Sequence, residues 1–296
     1  MFENTLITLF CSIDDFSSTF ESEFNHILLP TKRGYITRTC RMYLSEIMAI
    51  LIAFHFSKMR TFKDFYLSQE INLRKYFPNL VSYHRFVELT PRAIFPLFCY
   101  LLALLKNCSG ISFIDSTILT VCHIRRASSH RVFKGLASKG KTSTGWFFGL
   151  KLHLVINQQG ELIAFQLTDG STHDLSPVDF LVKKLFGHLF GDKGYLSMKV
   201  FERLYEKGVK LITRIRSNMK NKLMIPWEKL MLRARGVIES VNNRLKYGCQ
   251  IEHHRHRSRR NFLANLFGGL ISYQLQPNKP SIRRFPQKSS RLLSIA

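Results

Sequence analysis

At Ile111 the residue pattern changes period, and that change restricts the fold more than any single residue does. Ile111 to Thr117 (ISFIDST) is a short β-type run, Trp146 to Ile156 (WFFGLKLHLVI) a longer one, and Glu161 to Leu167 follows the turn signal Gln158-Gln159-Gly160. Three such runs predict a meander. Further on, a helical stretch from Asp174 to Phe186, a strand ending at Leu189-Phe190-Gly191-Asp192, a helix from Lys199 to Glu206 and a strand from Lys210 to Ile215 alternate. Strands first and then alternating helix and strand predict an α/β fold, a mixed sheet with helices on its faces. The stretch GLASKGKTSTG between Gly135 and Gly145 reads as a mobile basic loop.

Before Ile111 alternation is missing, and the chain reads as several helices: Tyr43 to Phe56, Thr61 to Ser68, and one opening at Ser82 as N-cap. Thr90-Pro91 pairs a capping residue with proline at the first helical position and predicts a further start, with Pro96 as a kink. The predicted organisation is an α-helical region over 1–108, serving DNA binding or dimerisation, a sheet-containing domain over 109–276, and a basic tail over 277–296.

Charge selects the partner. The 296 residues carry 44 Lys and Arg against 20 Asp and Glu, a net charge of +24. Residues 240–296 are nearly a pure polycation, with 11 basic residues against Glu252 alone. Such an excess repels itself unless a polyanion relieves it, so nucleic acid leads and an anionic membrane surface follows. The longest apolar runs, Ile47 to Phe56 and Ala93 to Leu105, fall short of the about 20 residues of a spanning helix. Met1 to Phe10 has Glu3 and no basic residue before its apolar stretch, the wrong order for a secretory signal. Six cysteines without a CxxC pair predict reduced thiols in a cytosol and no zinc site. No GxGxxG or GK[ST] loop is present, so nucleotide hydrolysis is not indicated.

Two aspartates end predicted strands, Asp115 after Phe113-Ile114 and Asp192 after Leu189-Phe190-Gly191. Carboxylates converging at one sheet edge repel and favour protonation unless a cation holds them, and an all-oxygen ligand set favours magnesium or manganese. Each aspartate alone is equally read as a turn or cap residue. Glu239 lies in a predicted helix from Trp227 to Tyr247, sharing a face with Arg235 four residues before it and Lys246 seven after. A solvated amphipathic helix has the same pattern. The histidine-rich run 253–256 alternates with arginine and reads as a phosphate-contacting surface in preference to a metal site.

The order Asp, then Asp before Lys-Gly-Tyr, then Glu on a helix resembles the DDE transposases, whose catalytic domain is ribonuclease-H-like. The Glu helix is similar to the insertion-sequence signature of tyrosine, two residues, arginine, three residues, glutamate, six residues, lysine. Arg235, Glu239 and Lys246 fit it, and Leu232 stands at the tyrosine position. FPNLVSYHRF at 77–86, IEHHRHRS at 251–258, Asn261-Phe262-Leu263 and Leu275-Gln276-Pro277 narrow the resemblance to the bacterial insertion-sequence 982 family. Thr172-His173-Asp174 is similar to a recurrent His-Asp pair of these enzymes, while Asp174 also suits a helix N-cap.

The resemblance implies that Asp115, Asp192 and Glu239 are the catalytic residues and the ligands of two Mg2+ ions, or Mn2+. It implies cleavage at element ends followed by strand transfer. The partners would be double-stranded DNA, as terminal inverted repeats and as target, and further copies of the chain, with no membrane. Arg235, Arg244, Lys246, Arg255, Arg257, Arg259 and Arg260 are the expected DNA contacts, in the cytoplasm of a bacterium at its nucleoid. A metal-dependent nuclease and an inactive DNA-binding relic remain as alternatives.

Overall fold

The computed structural model describes residues 2–24, 41–142, 145–214, 224–252 and 256–282. Six helices come first: α1 (Phe2–Phe24), α2 (Leu44–Phe56), α3 (Phe62–Ser68), α4 (Glu70–Tyr76), α5 (Tyr83–Leu89) and α6 (Ile94–Leu104), the last two joined by a 3-10 turn over Thr90–Ala93. The Ser82 hydroxyl accepts the Arg85 N–H, as the sequence predicts. Thr90 is not an N-cap: its backbone is helical, it closes α5, and its hydroxyl donates to the Phe86 carbonyl (3.1 Å). Pro96 falls in the first turn of α6, where a helix tolerates proline.

The sheet follows. Its strands are β1 (Ile111–Cys122), β2 (Ser138–Thr142), β3 (Gly145–Asn157), β4 (Leu162–Asp169), β5 (Gly187–Gly191) and β6 (Val209–Thr213). The order is β2-β3-β1-β5-β6, with β4 also on β3. β1, β3 and β4 pair antiparallel as the predicted meander, and β5 joins β1 in parallel. Helices α7 (Val178–Leu181), α8 (Met198–Glu206), α9 (Pro226–Ala234), α10 (Gly236–Asn243) and α11 (Arg259–Leu275) complete it, with a π-helical turn over Arg244–Gly248. This mixed sheet flanked by helices, preceded by an α-helical region, is a ribonuclease-H-like α/β fold.

Several expectations are corrected. The stretch read as a mobile basic loop carries β2, which pairs Ser138–Thr142 with Gly145–Gly149 of β3. The helix predicted from Asp174 to Phe186 shrinks to the four residues of α7, because Asp174 and its neighbours are held in turns. The single helix predicted from Trp227 to Tyr247 is α9, Arg235, α10 and the wider π turn.

Alternation divides the sheet's two faces. Phe113, Leu119, Leu152, Leu154, Phe190 and Ile212 belong to a core shared with α2, α6, α10 and α11. Ile114, Val155, Leu189 and Leu211 belong to a second core under α7 and α8. α11 packs on both α2 and α6, so the N-terminal helices are continuous with the first core. Tyr83–Leu104 is a continuous helical stretch long and apolar enough to cross a membrane by composition. Here its Phe86, Leu89, Ala93, Leu97 and Leu101 lie in that core.

His55 of α2 reaches α11's neighbour segment, with Nδ1 2.5 Å from the Cys249 carbonyl. Gly268 and Gly269 leave room for its ring, since a Cβ on Gly268 would come within 3.1 Å of Nε2. Burial holds its pKa down to about 4. An unfolded histidine protonates near pH 6.5, so folding stability is lost as pH falls from there through about 4. Wild-type protein should lose more stability between pH 7 and pH 5 than His55→Gln does, by about 2 kcal/mol in urea titrations. Equal losses would remove His55 as a source of acid sensitivity.

Candidate active site

Parallel pairing of β1 with β5 sets Ile111 opposite His188, Ser112 opposite Leu189 and Phe113 opposite Phe190. The same offset, carried two residues on, relates Asp115 to Asp192. Asp192 therefore leaves β5 just where the strand ends. Asp115 is not at a strand end, as expected, but inside β1, which runs on to Cys122 against β3 alone. It lies two residues past the last β1–β5 pair.

The bland readings of the aspartates fail individually. Asp192 precedes a 3-10 turn over Lys193–Tyr195, yet its side chain makes no cap hydrogen bond, and the residue is exposed. Asp115 is largely buried on the face toward α10, where Asn242 Nδ2 donates to its Oδ2 (3.0 Å). Burial pushes the Asp115 carboxyl up to about 6; Arg235 opposes that rise, while Glu239 and Asp192 add to it by repulsion. Glu239 and Asp192 are thus each within electrostatic reach of Asp115.

Glu239 does not close on the aspartates in this arrangement. Arg235 Nη2 donates to its Oε1 at 2.6 Å, with the Arg235 side chain 10% exposed and Glu239 57% exposed. Among the described residues no three His, Cys, Asp or Glu side chains stand close enough to hold a metal ion. Oxygen donors fit magnesium or manganese, and beside Asp115 the Asn242 Oδ1 is a buried oxygen without a partner.

Of the expected DNA contacts, several are occupied by the protein itself. Lys246 Nζ pairs with Glu252 Oε2 (3.1 Å), and Glu252 Oε1 accepts the Thr120 N–H (2.9 Å) beside the irregularity between Thr120 and Cys122. The π turn removes Lys246 from the α-helical row shared with Glu239. Arg244 donates to the Asn278 carbonyl. Arg259 donates Nε to the Val132 carbonyl (2.5 Å) and Nη2 to the Lys134 carbonyl (2.6 Å), tying α11 to the β1–β2 connection. Arg259→Ala should therefore lower stability by about 1 kcal/mol, readable in urea titrations. An unchanged midpoint would return Arg259 to the DNA-facing set. Arg257 and Arg260 are exposed, and Arg255, with His253 and His254, lies outside the described residues.

Sequence reasoning missed the other face. Asp174 caps no helix; Ser116 Oγ (2.9 Å) and Lys151 Nζ (3.1 Å) both donate to its Oδ1. Lys151 also donates to the Thr172 carbonyl (2.8 Å). His173 points its Nδ1 at the Leu175 N–H (3.2 Å) and makes no contact with the carboxylates. The signal for this network was Lys151 inside the apolar run of β3, where a charge needs a partner. The signal for Asn242 was a poor helix former three residues after Glu239.

Residues 105–259 match the transposase DDE domain family, over more than half of the chain. The chain belongs to that family. A transposase or nuclease function and DNA binding accompany the membership. No curated protein matches the chain. Among solved structures, a piggyBac transposase synaptic complex with hairpin DNA is similar at a TM-score of 0.46 and 10% identity, covering 86% of this chain and 70% of that one.

Proposed function

We propose that this DDE-domain protein is the transposase of a bacterial insertion sequence, of the insertion-sequence 982 kind, cutting DNA at the element's ends and joining the freed strand to target DNA. The observation that supports the reading is the β1–β5 register, which relates Asp115 to Asp192 at the end of β5, with α10 packed against β1 and Glu239 near enough to influence the Asp115 carboxyl. In this reading the three carboxylates hold two Mg2+ or Mn2+ ions. Bound there, the ions would activate the attacking water or 3′-hydroxyl and stabilise the leaving 3′-oxygen. Asp115 must be ionised to take part, and Arg235 favours that form. Asn242 orients the Asp115 carboxylate, and Glu239 would have to leave Arg235 to join the two aspartates. The chain would act as an oligomer on paired DNA ends, in the bacterial cytoplasm at the nucleoid.

Genomic DNA flanking the coding region supplies the test. Purified protein with Mg2+ should bind and cut duplexes carrying inverted repeats from those flanks in preference to scrambled duplexes. Equal cutting of both would make it a metal-dependent nuclease, and binding without cutting would make it a relic.

A further inference from the structure

Beyond the carboxylates, the β1–β2 connection and the segment leading into α11 enclose a pocket of about 380 Å³. It is lined by Cys122, Arg126, Ser129, His130, Arg131 and Val132, with His256 and Arg257 opposite. Among the described residues no carboxylate lines it, and none of its three arginines is ion-paired. His130 Nδ1 is buried there without a partner. Three guanidinium groups around a small cavity repel one another and are stabilised by an anion with several acceptor oxygens, as a phosphodiester has.

His256 and Arg257 also form one wall of a larger cleft of about 760 Å³. Its lining also holds the rings of Phe62, Tyr83 and His84, together with Lys63, Asp64 and Glu88; the Phe62 and Tyr83 ring centroids are 6.3 Å apart and Tyr83 meets His84 at 5.7 Å. Arg257 is close enough to Tyr83 to oppose the rise that burial gives its hydroxyl pKa. The two spaces are thus neighbours across a single His-Arg partition.

A basic pocket beside aromatic rings is the chemistry that holds a single-stranded nucleotide, phosphate on cations and base on π-faces, whereas a base inside a duplex cannot reach an aromatic wall. We infer that this pair of spaces is a second DNA site, taking a backbone phosphate between Arg126, Arg131 and Arg257 and an unpaired base in the cleft against Tyr83 and His84. It rests on the DNA-binding reading and adds that one strand is unpaired there. Cys122 is seven residues beyond Asp115 on β1, so the site lies roughly 20 Å from the carboxylates. The unpaired stretch is therefore away from the cut.

The test is fluorescence anisotropy of full-length protein, over a range of KCl, with a labelled blunt duplex and the same duplex carrying a short single-stranded extension. The wild type should bind the extended DNA about tenfold more tightly, the scale of one base stacking on an aromatic side chain. Tyr83→Leu with His84→Ala should erase that preference and leave the salt slope unchanged. Arg126→Ala with Arg131→Ala should weaken the extended DNA and reduce its salt slope. Circular dichroism identifies any variant that has lost its fold. For an unfolded Tyr83 variant, His84→Ala alone, on an exposed side chain, must still reduce the preference. Equal wild-type affinity for both DNAs, or a preference that survives both variants, overturns this inference alone. Failure to bind either DNA overturns the DNA-binding reading with it.

Discussion

Asp115→Asn should abolish strand cleavage, by about a thousandfold or roughly 4 kcal/mol in the barrier, and at the same time make the metal-free protein more stable at neutral pH. Both effects have one cause. Burial and the charges of Glu239 and Asp192 raise the carboxyl to about 6, despite Arg235. An unfolded aspartate ionises near 3.9, so the folded state is penalised as pH rises from there through about 6, and the penalty stays in full above it. The amide removes the charge and can still meet Asn242. Urea titrations in EDTA should show a gain of about 3 kcal/mol at pH 7 and about 0.5 kcal/mol at pH 4. Loss of cleavage with loss of stability at pH 7 would mean that Asp115 is a structural carboxylate.

The second large effect is on the fold that places this residue. Gly149 lies where β3 crosses β1, and a Cβ there would come 2.2 Å from the Leu119 carbonyl oxygen and 3.0 Å from the Thr120 Cα. Neither is a flexible side chain, so the strands must part beside the irregularity in their pairing. Gly149→Ala should cost about 3 kcal/mol and lower the melting temperature by roughly 6–12 °C. Gly236→Ala is the control, because no atom would lie within 4 Å of its Cβ. It should be neutral or slightly stabilising, since alanine is the better helix former. Equal melting temperatures for the two variants would show that β1 and β3 separate freely at Gly149.

The apolar strands were legible because their burial is written in the residues: β1, β3 and β4 are runs of Ile, Leu, Val and Phe. β2 was not legible, since Ser138, Lys139, Gly140, Lys141 and Thr142 have a loop's composition. It pairs because Gly140 allows close approach: a Cβ there would meet the Gly170 carbonyl. α11 was missed because its buried residues surround it, Phe262, Leu266, Leu270 and Ile271 with Gly268, Gly269 and Ser272, leaving no one-sided stripe to read. Its cap, Ser258 accepting the Asn261 N–H, was the available signal. At the site, the four-residue spacing already set Arg235 beside Glu239, and the two pair as that spacing implies. Lys246 was read on the same face, but it pairs with Glu252 instead, beyond the π turn that no spacing rule anticipates.

The most direct measurement is Mn2+ binding, followed by electron paramagnetic resonance as free Mn2+ disappears, on wild type and on Asp115→Asn, Asp192→Asn and Glu239→Gln in the presence of uncut DNA. Two ions per wild-type chain are expected, with at least one site lost in each variant while DNA affinity stays within a modest factor. Undiminished Mn2+ binding in all three variants would contradict the assignment of these carboxylates as one metal-holding centre.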